Sequence, residues 1–196
     1  MNLEIPDRPF AGLIFDCDGT LADTMPLHYR AWQRLFAEIG EPYPESLFAG
    51  WGGKPTREIL IELRDRHRID FGDFEAAEAR KETYFAASIA EIRPIEPVVA
   101  IARRHRGRVP MAVASGGLRT HVEATLDAIG VREWFAAIVC VEDCARAKPH
   151  PDPFLEAARR LRVPAADCLV FEDSPLGFAA ADAAGMPYVR IPTPPV

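Results

Sequence analysis

Short apolar segments of strand type alternate with helical patterns through the second half of this chain, and this alternation restricts the fold more than any other feature. The predicted strands are 109–115, 137–141, 168–171 and 188–191. The predicted helices between them are 117–129, 152–162 and 175–184. Strands that alternate with helices form a parallel sheet that is covered on both faces. The sequence therefore predicts an α/β fold.

One further strand is predicted at 13–15, near the start of the chain, and no strand pattern interrupts the residues from 24 to 92. Helices are predicted in that interval at 25–39, 57–67 and 73–92. We therefore predict a core of residues 1–23 and 93–196, with an all-helical insertion of residues 24–92 after the first strand. The proline-rich end, 192–196, predicts a loose tail.

The charge balance and the hydropathy pattern restrict the partners of this 196-residue chain. Its formal net charge of -6 argues against a nucleic acid ligand. The basic run at 103–108 favours the C-terminus of a helix, where cations are stabilising. No segment approaches about 18 consecutive apolar residues, so we expect no membrane contact and a cytoplasmic protein. The four cysteines have no disulfide or metal-site spacing and are expected to be reduced packing residues.

Two carboxylates, Asp16 and Asp18, follow the first strand directly, and Gly19 comes next where the backbone must turn. Residues two apart in an extended chain lie about 6–7 Å apart on one side, so both carboxylates can face a common phosphorus atom. Asp16 would then attack as an ionised nucleophile, and Asp18 would exchange a proton with the leaving or entering oxygen. These roles require environments that push the two pKa values apart. Turn chemistry alone is the alternative, whereas a calcium loop is disfavoured.

Two later segments carry groups that suit phosphate. Ser115, Gly116 and Gly117 follow the second strand and open a helix, so a hydroxyl and backbone N–H groups converge on the positive end of the helix dipole. An ordinary helix N-cap is the alternative at this position. Lys148 lies in a loop before Pro149, where it can neutralise an attacking carboxylate together with a phosphoryl oxygen. Taken alone, it would be an ordinary surface lysine.

The acidic pair Glu172-Asp173 follows the fourth strand and precedes a helix start. The acids could simply favour that helix N-terminus. With Asp16 they form a set of carboxylates that suits Mg²⁺, which takes a few protein oxygens and keeps several waters. A second pair, Glu142-Asp143, follows the third strand nearer the edge of the sheet and is a candidate for a supporting role.

These blocks, in this order, resemble the haloacid dehalogenase-like superfamily. The resemblance spans the core and is carried by four features. They are the Asp-x-Asp-Gly-Thr block at 16–20, the strand-end Ser115, the loop Lys148 before a proline, and the late acidic pair Glu172-Asp173. It implies a Rossmann-like core and a helical cap that closes over the site. The helical insertion would be this cap.

The resemblance also implies roles for the site residues. Asp16 would form a covalent aspartyl-phosphate, and Asp18 would be the general acid and base. Mg²⁺ would be held by the Asp16 carboxylate, the Asp18 backbone carbonyl and Asp173, with Glu172 assisting. The phosphate would be held by Ser115 and Lys148, beside Gly116.

Where the helical insertion begins, Asp23-Thr24 and the stretch 28–32 resemble the beta-phosphoglucomutase and sugar-phosphate phosphatase branch of the superfamily. Lys81 falls on a helical stripe where an apolar residue is expected. One alternative is that its charged end reaches solvent. The other is that Lys81, with His28 and Arg57, faces the cleft and binds the far end of the substrate.

The leading hypothesis is a Mg²⁺-dependent phosphatase that hydrolyses a small sugar phosphate, such as a hexose phosphate, through a phosphorylated Asp16. One alternative is a beta-phosphoglucomutase-type enzyme, which hands the phosphoryl group to a second sugar hydroxyl with the same core residues. A remote alternative is a non-enzymatic phospho-acceptor similar to response-regulator receivers, in which the order of the motifs is reversed. Because the branch is commonly monomeric, we expect a monomer whose partner is a small phosphorylated molecule.

Overall fold

The computed structural model describes residues 3–192 and contains a five-stranded parallel sheet. The strands are β1 (Gly12–Phe15), β2 (Met111–Ala114), β3 (Ala137–Val139), β4 (Cys168–Glu172) and β5 (Tyr188–Arg190). Their order across the sheet is β3-β2-β1-β4-β5, and every pair is parallel. The α/β prediction and all five predicted strands are therefore confirmed. Residues 193–196 of the predicted tail lie outside the described part of the chain.

The sheet is the middle of three layers, and alternating strand residues reach opposite sides of it. Leu13 and Phe15 of β1 belong to one apolar cluster, whereas Ile14 belongs to the other. The first cluster is completed by helices α5 (Glu96–His105) and α6 (Arg119–Ala128). The second is completed by α7 (Asp152–Leu161) and α8 (Pro175–Ala183). Because both faces are covered, the strands read as continuous apolar runs rather than as an alternating pattern.

The strand order reverses beside β1. The chain leaves β1 for β2 on one side, and after β3 it returns to β4 on the other side. Ligands of open α/β sheets bind beyond the carboxyl ends of the strands at such a reversal. The topology therefore brings the residues that follow β1 and β4 to one place, which is where the acidic motifs lie.

The interval between β1 and α5 is helical, and no strand lies in residues 24–92. Its helices are α1 (Met25–Glu38), α2 (Glu45–Phe48), α3 (Thr56–His67) and α4 (Phe74–Ala86). They bury an apolar cluster of their own, which includes Trp32, Phe36, Leu60 and Leu63. The assignment of this helical insertion to a separate domain stays a prediction.

Two neighbouring backbone segments join the helical insertion to the core. The N–H of Asp23 donates to the carbonyl of Arg93 at 2.9 Å, and the N–H of Ile95 donates to the carbonyl of Leu21 at 2.9 Å. The insertion therefore leaves the core and returns to it at one point, directly after the Asp-x-Asp-Gly-Thr block.

The predicted helix at 73–92 is wrong at its C-terminal end. The helix ends at Ala86, and a single 3₁₀ turn covers Ile89–Glu91 before Ile92 joins a buried cluster with Leu27 and Phe85. No glycine or proline stands at this break, so the sequence carries no stop signal there. The basic run does end a helix as predicted, because Arg103 lies in the last turn of α5.

All four cysteines are free thiols, and three of them are buried, as expected of packing residues. Among the described residues, no helix is long and apolar enough to cross a membrane.

Candidate active site

Three carboxylates meet at the carboxyl ends of β1 and β4. Asp16 continues β1, and its N–H still donates to the Phe171 carbonyl of β4 at 2.9 Å. Glu172 ends β4, and Asp173 follows it. One oxygen of each of these three carboxylates lies within 4.8 Å of the others. Asp16 is 3% exposed, so this negative charge is held largely out of water.

Lys148 supplies the positive charge nearest to this cluster. Its Nζ donates to Oδ1 of Asp16 at 2.7 Å and to Oε2 of Glu172 at 2.6 Å, with both bonds buried. Burial alone would lower the pKa of Lys148, but the two carboxylates outweigh it and raise that pKa. Lys148 therefore stays charged at neutral pH and holds the Asp16 carboxylate in place.

Glu172 is fixed on both of its oxygens. While Oε2 accepts from Lys148, Oε1 accepts from the Ser174 hydroxyl at 2.9 Å and from the Ser174 N–H at 3.1 Å. Helix α8 packs so close that a Cβ on Gly177 would lie 2.0 Å from Cδ of Glu172. These contacts favour a positioning role for Glu172 toward Lys148. Its predicted role as a direct metal ligand stays a prediction.

The pKa values of the two motif aspartates are pushed apart, but in the order opposite to that expected from the sequence. Burial and then the Glu172 carboxylate raise the pKa of Asp16 well above its ordinary value. Burial also acts on Asp18, but hydrogen bonds from His28 and Thr24 outweigh it and lower its pKa. Lys148 alone does not offset the carboxylates around Asp16. A divalent cation would supply the missing charge and lower that pKa, so this donor set fits a metal ion.

Asp173 is held by the turn that follows Asp16. The Thr20 hydroxyl donates to Oδ1 of Asp173 at 3.3 Å. Gly19 has φ +84°, and a Cβ there would lie 2.2 Å from Oδ2 of Asp173. The glycine of the motif is thus required both by the backbone conformation and by the carboxylate that packs against it.

Gly19→Ala is expected to destabilise the protein by more than the roughly 1–2 kcal/mol that left-handed strain costs, because Asp173 must also move. Gly72→Ala is the matched control, since Gly72 has φ +76° and a Cβ added there would meet nothing within 4 Å. Urea unfolding of both variants measures the difference. An equal loss in the two variants would contradict the contact between Gly19 and Asp173.

Asp18 lies where the core meets the helical insertion. Oδ1 accepts from the Thr24 hydroxyl at 2.7 Å, and Nε2 of His28 lies 3.5 Å from the same oxygen. The Ser115 hydroxyl donates to Oδ2 at 3.4 Å. Thr24 has the sequence position of a cap for helix α1, but its hydroxyl makes no such bond and binds Asp18 instead. Asp18 is therefore oriented by residues of both parts of the chain.

The Ser115 loop is longer than predicted. Helix α6 begins at Arg119 rather than at 117, and the Gly117 N–H donates to the Ser115 hydroxyl at 3.0 Å. Gly116 touches the helical insertion, because a Cβ there would lie 2.6 Å from the Gly53 carbonyl oxygen. Ser115 and Gly116 thus line the boundary between the core and the insertion.

A cavity of about 210 Å³ lies between the core and the helical insertion. The core contributes Asp16, Asp18, Ser115 and Gly116 to its wall, and the insertion contributes mainly aromatic and charged side chains. Its volume is below the roughly 300–1,000 Å³ of pockets that hold drug-sized ligands, so it suits a small substrate.

The three residues predicted to face the cleft from the insertion, His28, Arg57 and Lys81, all line this cavity. Lys81 is 3% exposed, and its Nζ lies 3.0 Å from Nδ1 of His28, so its charged end does not reach solvent. Arg57 is half exposed and pairs with Glu78 through Nε at 3.1 Å. Their predicted contact with substrate stays a prediction.

Comparison with protein families decides between the enzyme and the receiver-like alternative. A family described as haloacid dehalogenase-like hydrolase matches residues 10–185, which is most of the chain. The chain belongs to the haloacid dehalogenase-like hydrolases. The predicted enzyme class, a phosphoric monoester hydrolase of this family, is confirmed, and the receiver-like alternative is excluded.

Individual relatives of this haloacid dehalogenase-like hydrolase agree with the family match. It is 35% identical to the fructose-1-phosphate phosphatase YqaB of Escherichia coli K12, over 93% of this chain and 96% of the relative. The crystal structure of CbbY from Rhodobacter sphaeroides in complex with phosphate is 30% identical, with a TM-score of 0.78 over 91% of this chain and 84% of that one. Beta-phosphoglucomutase from Clostridium difficile shares the fold, with a TM-score of 0.79 at 24% identity over 91% and 83% of the two chains.

Sequence reasoning missed several charged residues of this hydrolase that line the cavity. Glu82 is next to Lys81 on α4, and its Oε2 lies 2.7 Å from Nδ1 of His121 on α6. Neither residue belongs to a recognisable motif, and they are far apart in the chain.

The pair Glu142-Asp143 binds Arg119 at the start of α6, which agrees with a supporting role.

Proposed function

We propose that this hydrolase is a Mg²⁺-dependent phosphatase that hydrolyses a small sugar phosphate, such as a hexose phosphate, through an aspartyl-phosphate on Asp16. The observation that carries the proposal is the buried Asp16 carboxylate, held by Lys148 at the core side of the cavity. The similarity to a fructose-1-phosphate phosphatase over nearly the whole of both chains supports a sugar phosphate as the substrate.

In the proposed first step, an oxygen of Asp16 forms a bond to phosphorus while the ester P–O bond breaks and its electron pair leaves with the sugar oxygen. The negative charge of the bound phosphate raises the pKa of Asp18, which is lowered in the empty site, so that Asp18 takes up a proton and gives it to that oxygen. In the second step Asp18 takes a proton from water, which attacks phosphorus and releases phosphate from Asp16. Thr24 and His28 orient Asp18 for both transfers.

The other core residues hold the phosphoryl group. Ser115 and the Gly116 backbone donate to its oxygens, and Lys148 neutralises charge on both Asp16 and the phosphoryl group. Asp16, the Asp18 carbonyl and Asp173 would hold Mg²⁺, with Glu172 assisting through Lys148. When bound, the ion neutralises the charge that builds up on the transferring group. His28, Arg57 and Lys81 contact the sugar end of the substrate.

Removal of divalent metal is expected to abolish phosphate release, and Mg²⁺ is expected to restore it. The reason is that the carboxylates around Asp16 repel a phosphate dianion unless a cation offsets them. Release from fructose 1-phosphate is measured before and after EDTA treatment, with added Mg²⁺ or Na⁺. Full activity in EDTA would contradict the proposed cofactor. Thermal unfolding with and without Mg²⁺ gives a second readout, since a bound ion raises the melting temperature.

A screen of phosphate release across sugar monophosphates tests the proposed function. A mutase would instead convert beta-glucose 1-phosphate to glucose 6-phosphate when the bisphosphate is present, so both assays are run on the same protein. Rapid release from one or more sugar monophosphates, with no isomerisation, is the expected result. Isomerisation without phosphate release would contradict the proposed phosphatase activity and support the mutase alternative. The cytoplasmic location and the monomeric state stay predictions.

A further inference from the structure

The cavity wall contributed by the helical insertion contains cations that already have carboxylate partners. We call this set the insertion wall: Lys54, Arg57 and Lys81, with their partners Glu62, Glu78 and Glu82. Glu78 and Glu82 themselves line the cavity beside the cations. Each of the three lining cations therefore has a carboxylate partner, and two of these partners, Glu78 and Glu82, share the cavity wall, whereas Glu62 is not among the lining residues.

The pairing is tightest at Glu82. One oxygen accepts from Lys81 at 3.0 Å and from the Thr56 hydroxyl at 2.6 Å, and the other lies 2.7 Å from Nδ1 of His121. Burial alone would raise the pKa of Glu82, but its contacts with His121, Lys81 and Thr56 lower it well below the usual range. The carboxylate is therefore charged at neutral pH and faces the cavity.

The core side of the cavity is built to take one phosphoryl group. A substrate with a second phosphate would place that group against the insertion wall. There it would find no unpaired cation among the described lining residues and would approach the charges of Glu78 and Glu82. Uncharged hydroxyl groups face no such repulsion, because they can donate to the carboxylates and accept from Arg57 or Lys81. Aromatic side chains such as Trp32 and Phe85 line the same space and suit the apolar face of a sugar.

We propose that Glu78 and Glu82 are specificity-determining residues that restrict the enzyme to monophosphate esters of uncharged polyhydroxy compounds and exclude sugar bisphosphates. This inference rests on the proposed phosphatase function and narrows its substrate class. Specificity of this kind comes from a repulsive element as well as from attractive contacts. Glu78 has a second effect, because it accepts a hydrogen bond from Nε of Arg57 and so offsets part of the positive charge of the side chain best suited to a second phosphate.

The test compares kcat/KM for fructose 1-phosphate and fructose 1,6-bisphosphate. The parent protein is expected to favour the monophosphate by at least about tenfold. Glu78→Gln removes a carboxylate and frees Arg57, so it is expected to narrow that preference by about tenfold. Glu75→Gln is the matched control, because Glu75 is exposed on the same helix and does not line the cavity. Glu82→Gln, checked for folding by thermal unfolding, is expected to act in the same direction.

An equal preference for both compounds in the parent protein would overturn the inference while leaving the phosphatase intact. An unchanged ratio in Glu78→Gln would overturn it too. If no sugar monophosphate is hydrolysed, the proposed function fails instead. In that case calorimetric binding of the two compounds to the Asp16→Asn protein with Mg²⁺ still tests the inference. Weaker binding of the bisphosphate, relieved by Glu78→Gln, supports it, and equal binding refutes it.

Discussion

Asp16→Asn is expected to lower phosphate release by at least about 10⁴-fold, because an amide oxygen cannot replace the carboxylate that forms the bond to phosphorus. The side chain keeps its size, and Lys148 can still donate to the remaining oxygen. Single-turnover assays with fructose 1-phosphate measure the loss. In addition, covalently bound phosphate should be trapped on the parent protein and not on the Asp16→Asn variant. Normal turnover by the variant would remove Asp16 from the role of nucleophile.

The same variant is expected to fold at least as stably as the parent in the absence of metal. Burial and Glu172 raise the pKa of Asp16 in the folded state, so ionisation costs stability as pH rises above the ordinary value of about 3.9 and up to the raised pKa. Asparagine carries no such cost. The stability difference between variant and parent should therefore be larger at pH 7 than near pH 4. Urea unfolding at both pH values measures it, and a variant much less stable at pH 7 would contradict the assigned electrostatics.

Lys148→Met is expected to destabilise the protein by about 3–5 kcal/mol, because it leaves Asp16 and Glu172 as neighbouring buried carboxylates without their cation. The two carboxylates raise the pKa of Lys148, so its contribution is complete below the ordinary lysine pKa and is lost only as pH rises through the raised one. Without Lys148 the pKa of Asp16 rises further, and ionisation of the stranded carboxylates costs more stability as pH rises, so the loss should be larger at pH 8 than at pH 6. Activity should fall by about 10²–10³-fold, the usual cost of one preorganised electrostatic partner.

A double variant distinguishes a lost ion pair from a general packing defect. Lys148→Met/Glu172→Gln removes one of the two stranded charges, so it is expected to regain part of the stability that Lys148→Met loses. Chemical unfolding of the parent, the two single variants and the double variant completes the cycle. Additive losses would mean that Lys148 and Glu172 do not act as a pair. Activity should stay low in the double variant, because Lys148 is still missing.

The sheet and the core of the site were predictable because their signals are local. The apolar strands are followed within a few residues by polar side chains of the candidate site. The parallel topology then brings Asp16, Ser115 and Asp173 to one edge of the sheet. Lys148 could be placed only by its motif, since its buried contacts join residues far apart in the chain.

The remaining features depend on tertiary contacts that no local pattern encodes. Thr24 precedes a helix as an N-cap residue would, but its hydroxyl donates a hydrogen bond to the nearby Asp18 carboxylate instead. The close contact between Glu82 and His121 joins helices that are adjacent only after folding. The raised pKa of Asp16 in the metal-free site comes from burial and from Glu172, which act on Asp16 through space, and no spacing rule contains that effect.

The paired backbone segments at Asp23 and Arg93 have a consequence for protein engineering. Since the chain departs and re-enters side by side, the sheet does not depend on the length of the polypeptide between these two residues. A foreign helical module with closely spaced ends could be grafted at this point while the catalytic edge keeps its register. A grafted segment would have to supply counterparts of Thr24 and His28, because these two residues of the insertion orient Asp18.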